Sequence, residues 1–288
     1  MALEDRVWSV AEDSDFYEKT YSTIRSDVQT LVRSETYDED LGQAGWMQAA
    51  EAHEFVSWLG SGVTSVLDVA CGSGGISALL AKRLGAEVTG IDVDPRAVAA
   101  ANERRAERCS FRVLDANERL PFADGSFDVV FSNDSVHHLR DRSAILRDWA
   151  RVLRPDGQVL FTEGLVLTGP VSNEEVRRRT FMGFFMVTPP GANERAIEAA
   201  GLVLERSEDR SRAVVEVGGR MRAARQRYRD EVIAAEGADT FAAFQDFLDV
   251  AVSLAAERRL SRWVFHARKA KRELRAGMRT TCPTTRRT

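Results

Sequence analysis

"VLDVACGSGG", residues 66–75, decides how this chain folds. Val66, Leu67, Val69 and Ala70 form a short apolar run that ends in Gly72, Gly74 and Gly75. A run of that length closed by glycines is a buried strand running into a tight turn. Asp68 stands inside the run, and a carboxylate in a buried strand needs a partner. Glycines let the backbone approach a ligand closely. The following "GGISALLAKRLG" is helical, so its free N–H groups face whatever the turn holds.

Downstream the pattern repeats. "AEVTGIDV" is a second strand, and "DPRAVAAANERRAE" a helix with Asp94 as N-cap and Pro95 at its first position. "SFRVLD" and "SFDVVFSN" are the third and fourth strands; "DRSAILRDWARVL" is a helix stopped at Pro155, and "GQVLFTE" is a fifth strand entered through the turn "RPDG". Alternating strands and helices with right-handed crossovers predict an α/β, Rossmann-like, doubly wound and mostly parallel sheet. Before it, residues 1–62 are expected to form a helical lid, with Ala52, Phe55, Val56 and Leu59 on one helical face. The main domain is expected over 63–275, with cap elements near 165–195 and 213–257. Residues 164–191 read as a connection, 213–257 as two helices broken near Gly237, and "RLSRWVFHARK" as a last strand. The tail 276–288 lacks apolar periodicity and is expected to be disordered.

Composition narrows the function. The chain has 288 residues, a net charge of −4 and 44% hydrophobic residues, which argues against a surface built to grip phosphate backbones. Cys71, Cys109 and Cys282 are widely spaced, with no CxxC pair, so no metal site is indicated and a cytoplasmic location is expected. No apolar run approaches the ~20 residues of a membrane helix.

Asp92 ends the second strand 20 residues after Gly72, a spacing that suits a carboxylate on ribose hydroxyls. Asp115 ends the third strand and can accept from an adenine amino group. A ribose-bearing cofactor is therefore expected, and two classes fit: a nicotinamide dinucleotide and S-adenosylmethionine. The dinucleotide fingerprint counted from Gly72 meets Ser77 where glycine or alanine belongs. A pyrophosphate beside Asp68 would be repelled, whereas an ammonium and a sulfonium would be attracted.

"VLDVACGSGG", "VTGIDVD", "VLDANERLPFADGSFDVVFSNDSVHHL" and "VLRPDGQVLFTE" occur in an order that resembles the class I S-adenosylmethionine-dependent methyltransferases. The resemblance covers about residues 63–165. It implies that Asp68, Ala70, Gly72 and Gly74 line the methionine and ribose portion of S-adenosyl-L-methionine. Asp92 would hold the ribose and Val93 would pack on adenine; Asp115 and Ala116 would address the adenine edge, and Asn133 would offer backbone contacts to the methionyl group. "EDLGQAGWMQAAEAHEFVSWLG", "VSNEEVRRR", "PPGANERAIEAAG" and "ERRLSRWVF" resemble bacterial small-molecule enzymes akin to glycine-betaine-pathway N-methyltransferases and natural-product methyltransferases. They imply a small organic acceptor methylated on oxygen or nitrogen, less often carbon.

His137 and His138 follow the fourth strand, and Glu163 ends the fifth. Position and resemblance point to His138 as a base oriented by Glu163; a structural role in shaping the turn is the competing reading. The aromatic and methionine residues of "TFMGFFMVTPPG" and "FAAFQDFLDVAVSL" read first as packing of the cap, and second as a wall around an organic substrate. Trp46 and the N-terminal helices would close that cleft. The arginines of "RMRAARQRYRD" and of the stretch from Arg258 to Arg275 read as a solvated helix face, with a site for an anionic substrate or nucleic acid as the alternatives. "SNDS" lacks the Asn/Asp-Pro-Pro-aromatic run of base-amino methyltransferases, so no nucleic-acid partner is expected. A nucleic-acid or protein methyltransferase, a dinucleotide-dependent oxidoreductase and a non-catalytic cofactor-binding protein are the alternatives. The acceptor and the oligomeric state are not encoded in any motif.

Overall fold

The computed structural model describes residues 16–270. Residues 1–15 of the expected lid, the tail 276–288 and Cys282 lie outside the described residues. Three helices lead in: α1 (Phe16–Thr23), α2 (Asp27–Thr36) and α3 (Ala49–Leu59). Ser26 caps α2 by accepting from the Gln29 N–H, and Ala52, Phe55 and Leu59 form the buried face of α3.

The strand–helix alternation follows as β1 (Ser65–Val69), α4 (Gly75–Leu84), β2 (Glu87–Asp92), α5 (Pro95–Glu103), β3 (Cys109–Val113), β4 (Phe127–Ser132), α6 (Arg142–Val152) and β5 (Leu153–Leu167). Asp94 caps α5 and Asp141 caps α6, each accepting a backbone N–H. The second half holds α7 (Asn173–Arg179), α8 (Ala192–Ala199), β6 (Leu202–Asp209), α9 (Ser211–Arg227), α10 (Arg229–Glu236), α11 (Ala238–Ala256) and β7 (Leu260–Lys269).

Seven strands form one sheet in the order β3-β2-β1-β4-β5-β7-β6. The first five are parallel; β7 runs antiparallel to both β5 and β6. The chain departs from β1 to β2 on one side and returns to β4 on the other. Beyond the carboxyl ends of those strands lies the crevice in which open α/β sheets bind ligands. Val66 packs with Val88, Phe131 and Leu80 on one face of the sheet, while Leu67 and Val69 pack with Val130, Trp149 and Phe161 on the other. Burial on both faces accounts for the continuous apolar run in the sequence. A third cluster, with Trp46, Phe185, Leu248 and Phe247, joins the cap to the sheet.

Three local expectations change. The connection 164–191 contains α7, which starts with a capping box between Ser172 and Glu175. The cap at 213–257 has a second break besides Gly237, at Tyr228, where no glycine or proline marks it. There the Tyr228 hydroxyl donates to Glu35 at 2.6 Å, tying the corner to α2. The turn "RPDG" is absorbed into β5, whose register with β4 shifts at that point. Among the described residues, no helix is long and apolar enough to cross a membrane.

Candidate active site

A cleft of about 550 Å³ opens at the carboxyl ends of β1, β2, β3 and β4. Asp68, Ala70, Gly72, Asp92, Val93, Asp115, Ala116 and Asn133 all line it. Asp68 is 2% exposed. Its Oδ2 accepts from the Ser77 hydroxyl at 2.5 Å, and among the described residues no cation lies within ion-pair distance. Burial, reinforced by Asp92 and opposed by the Ser77 hydroxyl, pushes the Asp68 carboxyl up to about 7. Asp92 accepts from the Gly72 N–H at 2.9 Å and the Asp94 N–H at 3.0 Å, and burial raises it as well. Val93 is left 63% exposed at the rim, an apolar surface without cover. Asp115 turns its Oδ1 to the backbone and side-chain amides of Asn117. The Asn133 side chain accepts from the Thr162 hydroxyl at 3.0 Å.

Gly74 is placed differently. A Cβ there would meet the Phe111 ring at 2.7 Å and Ala101 at 2.8 Å, and its φ is +75°. It allows the turn to pack on β3 and α5 and does not line the cleft. Gly75 is covered from the other side, since a Cβ would lie 1.5 Å from the Leu41 carbonyl oxygen. The loop after α2 thus rests directly on the glycine turn, and the Ser73 hydroxyl donates to the Gly42 carbonyl at 2.8 Å.

The roof comes from α1, through Tyr17 and Tyr21. His138 sits on the short 3-10 turn Val136–His138 and faces the cleft. Its Nδ1 lies 2.9 Å from the Phe184 carbonyl oxygen, so Nδ1 carries the proton. Nε2 then accepts from the Tyr17 hydroxyl at 2.8 Å. Burial, with His137 beside it, pushes His138 down to about 3, so the ring is neutral at ordinary pH. Burial also raises the Tyr17 hydroxyl, which keeps its proton.

Glu163 does not meet His138. Its Oε1 lies 3.2 Å from His137 Nδ1, Oε2 accepts from Arg142 at 2.6 Å, and the Leu165 N–H donates to Oε1 at 2.9 Å. Against burial, the Arg142 guanidinium and His137 hold the Glu163 carboxyl at about 2. The expected His138–Glu163 pair is replaced by Tyr17–His138 and His137–Glu163–Arg142. Consecutive residues on a tight turn face different ways, which residue spacing does not reveal.

Arg262 belongs to the arginine stretch 258–275 expected to form a solvated helix face, and the structure corrects that reading, since it lies inside β7. It is fully buried, donates to Asp134 at 2.7 Å and to Glu51 at 2.8 and 2.9 Å, and reaches Asn133 at 3.3 Å. It fastens α3 and the loop after β4 to the sheet. The rule that flagged Asp68, one charge inside an apolar strand, finds Arg262 in "LSRWVFHA".

A second cavity of about 130 Å³ adjoins the cleft, with Tyr17, residues 43–45, Asp134 and Met182 common to both. Trp46, Phe185, Met221, Phe244 and Phe247 make its apolar wall, with Arg179 among them. Phe185 and Phe247 also belong to the cap's buried cluster, so packing and wall are two faces of the same residues.

Residues 67–161 match a family model described as a methyltransferase domain. The chain is 31% identical over 152 residues to tocopherol O-methyltransferase of Arabidopsis thaliana, covering 51% of this chain and 41% of that protein. It is also 31% identical over 152 residues to 27-O-demethylrifamycin SV methyltransferase of Amycolatopsis mediterranei, covering 50% and 56%. The chain spans about half the length of these curated relatives. Phosphoethanolamine N-methyltransferase 2 of Haemonchus contortus, solved with S-adenosyl-L-methionine, superposes with a TM-score of 0.71 at 21% identity, covering 89% of this chain and 60% of that one. At that identity the likeness speaks for the fold. The matched domain makes residues 67–161 similar to a methyltransferase domain, and the strand order with the acid–glycine turn at the end of β1 gives the chain the fold of the class I methyltransferases.

Proposed function

We propose that the protein transfers a methyl group from S-adenosylmethionine to an oxygen or nitrogen atom of a small organic acceptor. The observation that carries this reading is Asp68, a buried carboxylate at the cleft floor with a hydroxyl but, among the described residues, no cation for company. Such a group is completed by a positively charged ligand and repels a pyrophosphate. In this reading Asp68 holds the methionyl end and Asp92 the ribose hydroxyls, while Val93, Asp115 and Ala116 receive the adenine. When bound, the cofactor supplies an electrophilic methyl group on a sulfonium.

The remaining work is positioning. Tyr17 and the loop over Gly75 act as a lid that excludes water. The acceptor enters from the smaller cavity, past Tyr17 and Met182. Tyr17 donates its proton to His138, so its oxygen presents lone pairs that can accept from an acceptor O–H or N–H. Tyr17→Phe and His138→Gln should each lower turnover by about 10²-fold while affinity for S-adenosylhomocysteine changes only a few-fold. Unchanged turnover in both variants removes this pair from the reaction.

Calorimetry with S-adenosylhomocysteine and with NAD separates the proposed class from a dinucleotide enzyme. Binding of the first alone is expected; binding of NAD alone overturns the proposal. Turnover is then read as methylated product by mass spectrometry. The pH dependence has a definite sign. A cationic ligand favours ionised Asp68, so its affinity should fall by up to about tenfold per pH unit below pH 7. For the empty protein the same raised carboxyl acts in the opposite sense. Its contribution to stability is present below the unfolded value of about 3.9 and is lost as pH rises through about 7. A flat affinity profile between pH 5.5 and 8 rejects Asp68 as the partner of the cation. Among the described residues Cys71 and Cys109 form no disulfide, which suits a reducing compartment such as the cytoplasm.

A further inference from the structure

Arg179, the last residue of α7, has only 3% of its surface exposed yet reaches the wall of the smaller cavity. Its guanidinium carbon lies 4.8 Å from the Phe247 ring centre, 5.6 Å from Trp46 and 6.0 Å from Phe185. Rings contact the flat faces of a guanidinium and leave the N–H edge to be satisfied by acceptors. Among the described residues, that edge makes no hydrogen bond and meets no carboxylate within ion-pair distance. The two carboxylates on the cavity wall are engaged elsewhere: Asp134 holds Arg262 at 2.7 Å, and Glu236 pairs with Arg225. Arg33, also on the wall, has Asp40 at 2.9 Å.

A second donor converges on the same place. The Arg179 Nη2 and the Trp46 Nε1 both lie 3.7 Å from the point where a side chain on Gly164 would begin, and His137 Cε1 lies 3.8 Å from it. The Trp46 N–H likewise makes no hydrogen bond among the described residues. Burial lowers Arg179 to about 10, which leaves it charged at neutral pH. A buried cation and an indole N–H, framed by aromatic rings and open to a cavity, describe a receptor for a planar anion.

We propose that the methyl acceptor is an organic acid whose carboxylate is bound by Arg179 and the Trp46 N–H, with its apolar body against Phe185, Phe244 and Phe247. This deepens the proposed function and rests on it, since it names the class of molecule presented to the donor. Size follows from the cavity: about 130 Å³ compares with a cavity of roughly 150 Å³ that takes one benzene. A single ring, or a chain of similar bulk, fits with the carboxylate at the Arg179 end. Its nucleophilic oxygen or nitrogen then points to the opening shared with the cleft, where Tyr17 stands. Arg179 is thus a specificity residue at the end of the acceptor remote from the transferred methyl.

The test uses the full chain, empty and loaded with S-adenosylhomocysteine. Benzoate, phenylacetate, 3-phenylpropionate and 4-hydroxybenzoate are titrated calorimetrically, each beside its primary amide. At least one acid should bind tenfold or more tightly than its amide. Arg179→Met should erase that preference, Arg179→Lys should retain part of it, and affinity for S-adenosylhomocysteine should stay within twofold in both. The proposal is overturned if no acid outbinds its amide, or if the preference survives in Arg179→Met. Should the methionine variant fail to fold, Arg179→Gln carries the same comparison. Failure of wild-type protein to bind S-adenosylhomocysteine sinks the methyl-donor reading instead; the acid–amide comparison on the empty protein still decides the anion site.

Discussion

Asp68→Asn is expected to weaken binding of S-adenosylmethionine by roughly 100-fold or more while leaving the empty protein as stable as before, or more stable. The two halves have one cause. The carboxylate is buried beside the Ser77 hydroxyl, and its ionised form is disfavoured until a cation arrives. Asparagine keeps an oxygen to accept from Ser77 and removes the charge, so folding loses little. The ligand loses a buried, charge-assisted partner, a deficit of about 3 kcal/mol. Calorimetry and thermal melting of the same samples check both halves. Near-normal affinity in the variant would mean that the floor of the cleft does not read positive charge. An ordinary structural aspartate would show the reverse pattern, with lower stability and unchanged binding.

Arg262→Met carries the second large effect, and its sign is opposite for stability. Arg262, fully buried, is the shared partner of Glu51 and Asp134, whose side chains are only 9% and 3% exposed. Burial already raises the Glu51 carboxyl even with Arg262 opposing it. Without the guanidinium, two carboxylates stand close together in a dry interior. Breaking such a cluster costs about 3–5 kcal/mol, or about 10 °C in melting temperature for a domain of this size. The cost should shrink as pH falls, because the stranded carboxylates take up protons in the folded state. Adding Glu51→Gln to Arg262→Met should recover part of the loss, a coupling that melting curves of the two single variants and the double variant measure. Additive losses would show that the cluster contributes no mutual stabilisation. Cofactor binding should weaken too, because Asn133 and Asp134 lose the side chain that fixes their loop.

The elements from β1 to β5 were legible because a buried parallel strand writes itself as an apolar run, and glycines and caps punctuate it. Eight of the nine residues expected to surround the cofactor line one cleft, since each lies at or just past the end of a strand. Gly74 is the exception: in a tight turn, alternate glycines face opposite sides, and Phe111 occupies the side it faces. The acceptor side was far less legible. Tyr17 and His138 are separated by 121 residues, and nothing in either neighbourhood encodes the 2.8 Å between them. The break at Tyr228 is made by a hydroxyl reaching Glu35 on another helix, so no local signal exists for it.

The sequence by itself determined the alternation of strands and helices, the parallel sheet, and the acids set at the strand ends, because these depend on periodicity and turn chemistry within a few residues. Only the tertiary structure decided which histidine faces the cleft, which carboxylates are paired, and that Arg179 and Asp68 have no ion-pair partner among the described residues. Pairing is a property of what packs alongside. A buried charge acquires its meaning from neighbours that are distant along the chain, and the low dielectric around it makes the presence or absence of a single partner decisive.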